Sequence, residues 1–300
     1  MSHYSIILNP VAGKGESLKV LPRVEEAFRS RALSYDLHTT AAPGEATRLA
    51  RQASGDIVVA LGGDGTVNET ANGVIGSGKT LGVIPAGSGN DFIKAAKIPR
   101  KLPSALETLF AGHASAFDVG YVETSDGKGG GTARYFTNGV GIGFDAAVAV
   151  KTAELRFLTG IPLYLAAVFK TLGKFTPPHF AMEFDGEKRE STNLLIAIGN
   201  GPCAGGGFFL TPDAIPDDGL FDVLLVDAVS VPTILRLMPR VMLGKHRNAK
   251  QVKFLRAKRI HLNSQTEFYV HADGEIVGRM VNSVVVSMRE KAISVIGGRA

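Results

Sequence analysis

Hydrophobic and polar residues follow two different patterns along the chain. In the first 120 or so residues, short apolar runs such as Tyr4–Leu8 and 56–61 alternate with segments of helical spacing such as 18–31. Short buried strands that alternate with amphipathic helices are typical of a parallel sheet with helices on both faces. The first half is therefore predicted to be an α/β domain.

After residue 114 the pattern changes to strand-like segments joined by turn sequences such as Asp185-Gly186 and the glycine run at 127–131. Such turns are typical of hairpins, so this half is predicted to be mainly antiparallel β. Helical segments at 146–172 and 231–243 interrupt it. We place the domain boundary at 125–133, which gives domains over 1–130 and 131–300 with a cleft between them, and leaves open a return of the extreme C-terminus to the first domain.

Composition limits the classes of protein. With 45% hydrophobic and 20% charged residues, the chain is expected to be globular. Its single cysteine, Cys203, excludes an internal disulfide and fits a reducing compartment. We find no secretory signal, and the longest apolar run, 161–172, is shorter than the roughly 20 residues that a spanning helix needs. We therefore expect a cytoplasmic protein that is at most peripheral to a membrane.

The net charge of +5 is concentrated in one interval, 228–266, which contains no Asp or Glu. Its basic residues over 236–259 are Arg236, Arg240, Lys245, Arg247, Lys250, Lys253, Arg256, Lys258 and Arg259. Such a face could meet anionic lipid or nucleic acid, or be an ordinary solvated surface. The chain has no Trp and lacks the interleaved aromatic residues of single-strand binders, which disfavours nucleic acid.

Three glycine-rich loops follow predicted strands of the first half. They are NPVAGKG at 9–15, GGDGT at 62–66 and PAGSGND at 85–91. Because the carboxyl ends of parallel strands share one edge, we expect the loops to converge there and bind phosphate, with helix N-termini supplying N–H groups. Asp64 would be repelled by bare phosphate and is assigned to the accompanying magnesium. The alternative for GGDG alone is a turn capped by an Asx side chain.

A second pattern, GVIGSGKT at 73–80, has the P-loop spacing. A P-loop needs a strand before it and a helix after it, because the helix N-terminus holds the phosphate. Here the predicted order is reversed. We interpret 76–78 as a loop that ends a helix, with Lys79 in solvent.

These motifs, together with NGVGIGFDAAV at 138–148, GNGPCAGGGFFLTPDAIPDDGLFDV at 199–223 and HADGE at 271–275, resemble the diacylglycerol kinase catalytic-domain family, which includes soluble bacterial lipid kinases and sphingosine and ceramide kinases. The resemblance covers nearly the whole chain. It implies an N-terminal nucleotide-binding α/β domain, a β-rich second domain and ATP with Mg²⁺ in the cleft between them. GGDGT alone also occurs in NAD kinases.

The resemblance also implies which residues bind ATP. Thr40 matches only through the pattern T-x-x-x-G-x-A that ends at Gly44 and Ala46, and Ser88 stands where most relatives have Thr. The implied nucleotide-binding residues are Asn9, Lys14, Thr40, Gly62, Gly63, Asp64, Gly65, Thr66, Val67, Asn68 and Ser88.

A second magnesium ion is implied in the loop 215–220. By resemblance, its ligands are the backbone carbonyls of Ile215 and Leu220 and the carboxylate of Asp218, with Asp217 or water nearby. Oxygen ligands suit magnesium. Without the resemblance, the sequence favours a plain Asp-Asp-Gly hairpin turn.

The catalytic carboxylates are expected at Asp273 and Glu275. Phosphoryl transfer to an alcohol needs a group that accepts or orients the hydroxyl proton. Residues i and i+2 of a strand point the same way, so the two could act as a pair, and the sequence does not say which is the base. His271 has the same parity, and we expect it to be a bystander. A simple Asp-Gly turn is the alternative.

We therefore predict an ATP-dependent lipid kinase whose acceptor is diacylglycerol-like, phosphatidylglycerol or a sphingoid base. The alternatives are an NAD kinase-like phosphotransferase and an inactive nucleotide-sensing module. The sequence leaves the oligomeric state open, a dimer included. A lipid tail could lie against apolar residues of 155–175, which could equally be ordinary core: Phe157, Leu158, Ile161, Leu165, Val168, Phe169 and Leu172.

Overall fold

The computed structural model describes residues 3–154, 168, 170, 171, 173 and 175–298. Its first four strands pair in parallel, in the order β2-β1-β3-β4. They are β1 (Tyr4–Leu8), β2 (Tyr35–Thr39), β3 (Ile57–Gly62) and β4 (Thr80–Pro85). The helices of this half are α1 (Glu16–Arg29), α2 (Glu45–Gln52), α3 (Asp64–Val74), α4 (Phe92–Ala95) and α5 (Leu102–Ala111). β3 is almost wholly buried, as its run of branched apolar residues indicates.

The second half is built mainly from antiparallel strands. They are β5 (Ala114–Ser125), β6 (Ala133–Phe136), β7 (Gly139–Gly143), β8 (His179–Phe184), β9 (Glu187–Gly199), β10 (Phe221–Asp227), β11 (Val252–Ala257), β12 (Arg259–Ala272) and β13 (Glu275–Ile296). Its helices are α6 (Phe144–Glu154) and α7 (Val231–Met242).

All of these strands join into one sheet, in the described part of the chain, rather than into two separate sheets. The link is the long strand β13, which pairs antiparallel with β12 and β5 and reaches β4 in parallel at Ser294 and Val295. The sheet as a whole is therefore mixed, with a parallel section at its N-terminal end. The fold is α/β with a β-rich C-terminal half.

The buried hydrophobic residues form separate groups in the two halves of the chain. One group of buried residues centres on Phe28, which packs edge-on against Tyr4 and Phe110 below the parallel strands. A larger group centres on the antiparallel strands, with Phe136 stacked on Phe221. Side chains of β13 take part in cores of both halves, because Val284 packs in the second and Val295 in the first.

Several local predictions are confirmed. The turn Asp185-Gly186 has φ of 49° and 94°, and β5 and β6 form a hairpin across 127–131. The P-loop-like segment lies between α3 and β4, which is the reverse of the strand-to-helix order of a P-loop. Lys79, however, is half-buried and donates to the carbonyl oxygen of Ala53, so its assignment to solvent was wrong.

Other predictions need correction. The sequence pattern predicts separate strands over 259–262 and 267–272, whereas the structure has one strand, β12, whose register shifts in the middle. β11, inside the basic interval, was not predicted at all. The predicted helix 146–172 is seen as α6, and 155–167 lies outside the described residues. No helix in the described ranges has the length and apolarity needed to span a membrane.

Candidate active site

The three glycine loops meet at the carboxyl edge of the parallel strands. A side chain on Gly13 would overlap the carbonyl oxygen of Ala86, and one on Gly87 would overlap the backbone of Gly63. The side chain of Asn90 also bonds both backbone groups of Gly87, at 3.0 Å and 2.8 Å. The loops therefore touch through backbone, which only glycine allows at these positions.

The second loop leads directly into α3. Asn9, at the end of β1, donates to Thr66 Oγ1 at 3.1 Å and so ties the first loop to the second. Thr66, Val67 and Asn68 are buried. Their side chains therefore pack inside the protein, and a side chain on Gly62 would overlap that of Thr66.

Asp64 faces the third loop. Its Oδ1 accepts hydrogen bonds from the backbone nitrogens of Asp91 at 2.6 Å and Phe92 at 3.1 Å, at the start of α4. Burial and the nearby Asp91 carboxylate both raise the pKa of Asp64. Two carboxylates held together at a glycine-lined edge make a suitable place for a divalent cation, which would relieve their repulsion.

Asp91 is itself held by a buried network. Its Oδ1 accepts from Lys94 Nζ at 2.8 Å and from Cys203 Sγ at 3.1 Å, and its Oδ2 accepts from Gly206 N at 2.6 Å. Burial raises the pKa of the Cys203 thiol to about 12, so Cys203 is a structural hydrogen-bonding group and not a nucleophile. The network joins the parallel strands to the loop 203–208 of the second half.

The remaining predicted nucleotide-binding residues lie around this edge. Lys14 and Ser88 are exposed on the first and third loops. Thr40 is buried directly after β2, and its backbone nitrogen donates to Leu8 O at 2.9 Å. Lys14 and Ser88 are thus free to meet a ligand from solvent, whereas Thr40 lies beneath the first loop.

Both carboxylate oxygens of Asp273 accept hydrogen bonds from the protein. Its Oδ2 accepts from Asn68 Nδ2 at 2.6 Å, Thr137 N at 2.7 Å and Thr137 Oγ1 at 3.0 Å. Its Oδ1 accepts from the backbone nitrogens of Asn138 and Gly139, each at 2.9 Å. With Gly274, Asp273 forms the two-residue turn between β12 and β13, at φ of 48° and 85°. The residue fastens α3 to the second half.

Glu275 lies on the opposite side of this turn. Its Oε2 accepts a hydrogen bond from Arg134 Nη1 at 2.5 Å. Its Oε1 lies 3.6 Å from the position that a Cβ atom on Gly65 would occupy. Arg134 also donates to Asn68 Oδ1. Asp273 and Glu275 are therefore connected through Asn68 and Arg134, and both stand beside the second glycine loop. Arg134 was missed by the sequence reasoning, since nothing in its local pattern marks it.

A cleft of about 750 Å³ opens in front of these groups. It is lined by Asp64, Ser88, Asp91, Asp273, the glycines 205–207 and the α7 residues Leu235, Met238 and Met242. A second, apolar cavity of about 380 Å³ lies between α6, α7 and the antiparallel strands, and includes Val168 of the predicted tail-binding stretch. The other predicted tail residues lie outside the described part of the chain. The two spaces lie side by side, because Met238, Phe208 and His271 line both of them.

His271 was predicted to be a bystander. Its Nε2 lies 3.1 Å from Asp145 Oδ2, and His271 lines both cavities, which leaves the prediction untested. Asp145 is 126 positions away in sequence, which is why sequence reasoning did not pair the two residues.

The predicted second metal site has a different set of contacts. Asp218 Oδ1 accepts from Leu220 N at 3.1 Å, and its Oδ2 accepts from Arg256. Buried Asp118 accepts from Gly219 N at 2.7 Å and Lys291 N at 2.7 Å, which fixes the loop against the bend in β13. Among the described residues, no cluster of three His, Cys, Asp or Glu side chains could hold a metal. The predicted magnesium site has only one carboxylate ligand, so the absence of such a cluster does not test it. The guanidinium of Arg256 already neutralises the charge of Asp218.

Two family descriptions match the chain. Residues 3–122 match the diacylglycerol kinase catalytic domain, and residues 138–297 match the YegS C-terminal NAD kinase beta sandwich-like domain. The chain is 30% identical over 281 residues to a diacylglycerol kinase of Staphylococcus aureus (strain MRSA252), covering 92% of this chain and 86% of that protein. It is 29% identical over 292 residues to a diacylglycerol kinase of Bacillus subtilis (strain 168), covering 95% and 93%.

The fold also resembles solved structures. The crystal structure of a diacylglycerol kinase from Bacillus anthracis strain Sterne superposes with a TM-score of 0.71 at 22% identity, over 99% of this chain and 97% of that one. At that identity the likeness concerns the fold alone. The two family matches and the curated relatives together show that the chain belongs to the diacylglycerol kinase catalytic-domain family.

Proposed function

We propose that the protein is an ATP-dependent lipid kinase that transfers the γ-phosphate of ATP to a hydroxyl of a diacylglycerol-like lipid. The observation that carries the proposal is that a polar cleft and an apolar cavity lie side by side and share lining residues. A cleft bordered by glycine loops and carboxylates adjoins an apolar cavity of about 380 Å³, and Phe208, Met238 and His271 line both. The curated relatives from Bacillus subtilis and Staphylococcus aureus are named diacylglycerol kinases, which supports the same reaction.

In this proposal the glycine loops bind the phosphates of ATP. Gly63 and Gly65 present backbone N–H groups at the N-terminus of α3, where the helix dipole favours anions. Lys14 and Ser88 are exposed on the neighbouring loops and can contact phosphate oxygens. Asn9 and Asn68 act indirectly, because their side chains hold the loops and α3 in place.

Magnesium fits at Asp64, whose carboxylate has its hydrogen bonds from the protein on Oδ1 and a pKa raised by burial and by Asp91. A bound magnesium ion would neutralise charge on the phosphates. Asp91 is satisfied by Lys94, Cys203 and Gly206 and would set the position of Asp64 and its loop.

The acceptor hydroxyl would approach from the apolar side, near Asp273. The five donors on its carboxylate favour an orienting role for Asp273. Glu275 pairs with Arg134 and has one oxygen facing Gly65, at the rim of the phosphate loops. Both residues remain candidates for the group that accepts the hydroxyl proton.

The second metal is proposed at Ile215 O, Asp218 and Leu220 O only on the strength of the resemblance. Arg256 occupies one oxygen of Asp218, so an ion there would have to share that carboxylate or displace the guanidinium. No catalytic step is assigned to it.

Contact with a membrane is proposed through α7. This helix exposes Leu235 and Met242, and Leu243 beyond its end is 67% exposed. Arg236, Arg240 and Lys245 are exposed on the same segment. Because α7 also lines both cavities, a membrane surface there would place the lipid beside the entrance. The more distal Lys253, Arg256 and Lys258 instead pair with Asp227, Asp218 and Glu290.

The test is a phosphorylation assay with labelled ATP and a lipid extract, with the product identified by mass. A labelled lipid whose mass has grown by one phosphate supports the proposal. Label on NAD and on no lipid would favour the NAD kinase-like alternative, and label on neither acceptor would favour a nucleotide-sensing module.

A further inference from the structure

Arg134 of β6 contacts two residues beside the second glycine loop. Its Nη1 donates to Glu275 Oε2 at 2.5 Å, and its Nη2 donates to Asn68 Oδ1 on α3. The side chain of Arg134 is only 21% exposed, so the guanidinium is mostly enclosed by protein. Arginine suits this place because its planar fork of N–H groups can hold two acceptors at once, which a lysine ammonium cannot do in a fixed geometry.

The strand that carries Arg134 is fastened to α3. The side chain of Asn72 donates to Tyr135 O at 3.1 Å and accepts from Tyr135 N at 3.3 Å. Asn68 Nδ2 also donates to Tyr135 O, at 3.4 Å. The position of the guanidinium is therefore set by the same helix whose N-terminus lies at the GGDGT loop.

The two carboxylates at the β12–β13 turn differ in what they leave open to a ligand. Both oxygens of Asp273 accept hydrogen bonds from the protein. In Glu275, only Oε2 has a donor among the described residues, and that donor is Arg134. Oε1 is left open, 3.6 Å from where a Cβ atom on Gly65 would lie, beside the first turn of α3. Arg134 thus determines which oxygen of Glu275 is open and where it points.

Without Arg134, nothing in the described part of the chain would hold the carboxylate of Glu275 in place. Its side chain is 42% exposed and could turn toward water. It would also be repelled by Asp273 and by the phosphates of a bound nucleotide. A charge-assisted hydrogen bond is about twice as strong as a neutral one, so the guanidinium can oppose that repulsion. Asn68 Oδ1 keeps a second donor, Asn72 Nδ2 at 3.3 Å, so the loss of Arg134 would release Glu275 more than α3.

We propose that Arg134 is a positioning residue for phosphoryl transfer, which holds Oε2 of Glu275 so that Oε1 faces the phosphate end of the nucleotide site. The inference rests on the proposed function and adds a residue to its machinery. Arg134 lines neither of the two cavities, so it acts through Glu275 and not on the acceptor. Its effect on the rate should therefore disappear when Glu275 itself cannot act.

The test is a double-mutant cycle on turnover. Arg134→Ala, Glu275→Gln and the variant with both changes are assayed with labelled ATP and diacylglycerol in mixed micelles. Because a misplacement of about 1 Å can cost about 100-fold in rate, Arg134→Ala should lower kcat about 10- to 100-fold. KM for ATP should stay unchanged. In the double variant, kcat should equal that of Glu275→Gln alone, since residues that act as a unit do not have additive effects.

The matched control is Arg189→Ala. Arg189 makes a comparable ion pair with Glu187, at 3.2 Å on the surface of β9, and lines neither cavity. This variant should behave as wild type. Thermal melting shows whether each variant is folded. If Arg134→Ala is not, Arg134→Lys replaces it in the cycle, because it keeps the charge and loses only the planar fork.

Three results in folded variants would overturn the inference. They are a full kcat in the Arg134 variant, a full kcat in Glu275→Gln, and losses that add in the double variant, as they would if Arg134 only fastened β6 to α3. A wild type that phosphorylates no diacylglycerol would instead refute the proposed function, and the inference that rests on it.

Discussion

The Oδ1 atom of Asp64 lies 2.6 Å from the backbone nitrogen of Asp91, although 27 positions separate them in sequence. The contact joins the loop after β3 to the loop after β4 and brings two carboxylates together. Burial and the charge of Asp91 raise the pKa of Asp64. The ionised form of Asp64 is therefore destabilised in the free protein, and a bound cation would stabilise it.

Asp64→Asn should separate the cost of the buried charge from the role of that charge in binding a cation, because an amide oxygen can still accept both backbone hydrogen bonds. The folded pKa of Asp64 is raised, so its contribution to the free energy of unfolding falls as pH rises through that pKa. Without magnesium at neutral pH, the variant should melt at or above the wild-type temperature. It should lose transfer activity and most of the melting-temperature increase given by ATP with magnesium.

The control is Asp56→Asn, since Asp56 is exposed just before β3, at the end of the strand away from the loops. It should leave both melting temperatures and activity unchanged. If folded Asp64→Asn gained as much stability from ATP with magnesium as wild type does, Asp64 would have no part in the metal site.

Asp273→Asn and Glu275→Gln should differ in their effects on stability. Each oxygen of Asp273 faces at least two donors, so an amide group would leave donors unpaired at about 1–3 kcal/mol each, and the melting temperature should fall. Glu275→Gln keeps an oxygen for Arg134 in a partly exposed pair and should cost at most about 1 kcal/mol.

For activity, at least one of the two variants should lose about 10²–10⁴-fold in turnover while its affinity for ATP stays near that of wild type. Single-turnover kinetics and calorimetry of ATP binding measure the two quantities. Near-normal turnover in both would make the pair structural and move the search for the proton acceptor elsewhere.

Asp218→Ala tests the proposed second metal. If an ion is held by Ile215 O, Asp218 and Leu220 O, the variant should lose more activity than ATP affinity and require more magnesium for its maximum rate. Asp213→Ala is the matched control, because it breaks a comparable surface ion pair with Arg247. An unchanged magnesium optimum, or the absence of metal from an active preparation without added magnesium, would show that Arg256 alone neutralises the loop.

Charge reversal on α7 tests the membrane surface. Each basic residue near anionic lipid contributes about 1 kcal/mol to the free energy of binding. Arg236→Glu with Arg240→Glu should therefore weaken binding to anionic vesicles by tenfold or more, and the binding that remains should depend less on salt concentration. Lys250→Glu, Lys253→Glu and Arg256→Glu extend the test to the rest of the basic interval.

Two of those three residues already form ion pairs, with Asp227 and Asp218, so the α7 variant should have the larger effect per charge. Lys19→Glu with Arg29→Glu on α1 makes the same change in net charge on another face. Equal binding of wild type to neutral and anionic vesicles would refute an electrostatic contact.

The sequence by itself determined the local elements and the phosphate loops. Apolar runs followed by glycine, as in 57–63, specify a strand that ends at a helix N-terminus, and hydrophobic period and turn residues are properties of adjacent positions. For the same reason the P-loop-like segment at 73–80 could be rejected from the order of its flanking elements, and the structure confirms that order.

Only the tertiary structure decided which side chains meet. Asp145 and His271, Arg134 and Glu275, and Asn68 and Asp273 are each brought together by strand pairing between distant segments. The return of β13 to β4 makes one mixed sheet from what local patterns present as two domains. Local periodicity contains no information about the partner of a strand, so the saturated carboxylate of Asp273 and the buried pair at His271 could not be predicted from their neighbours in sequence.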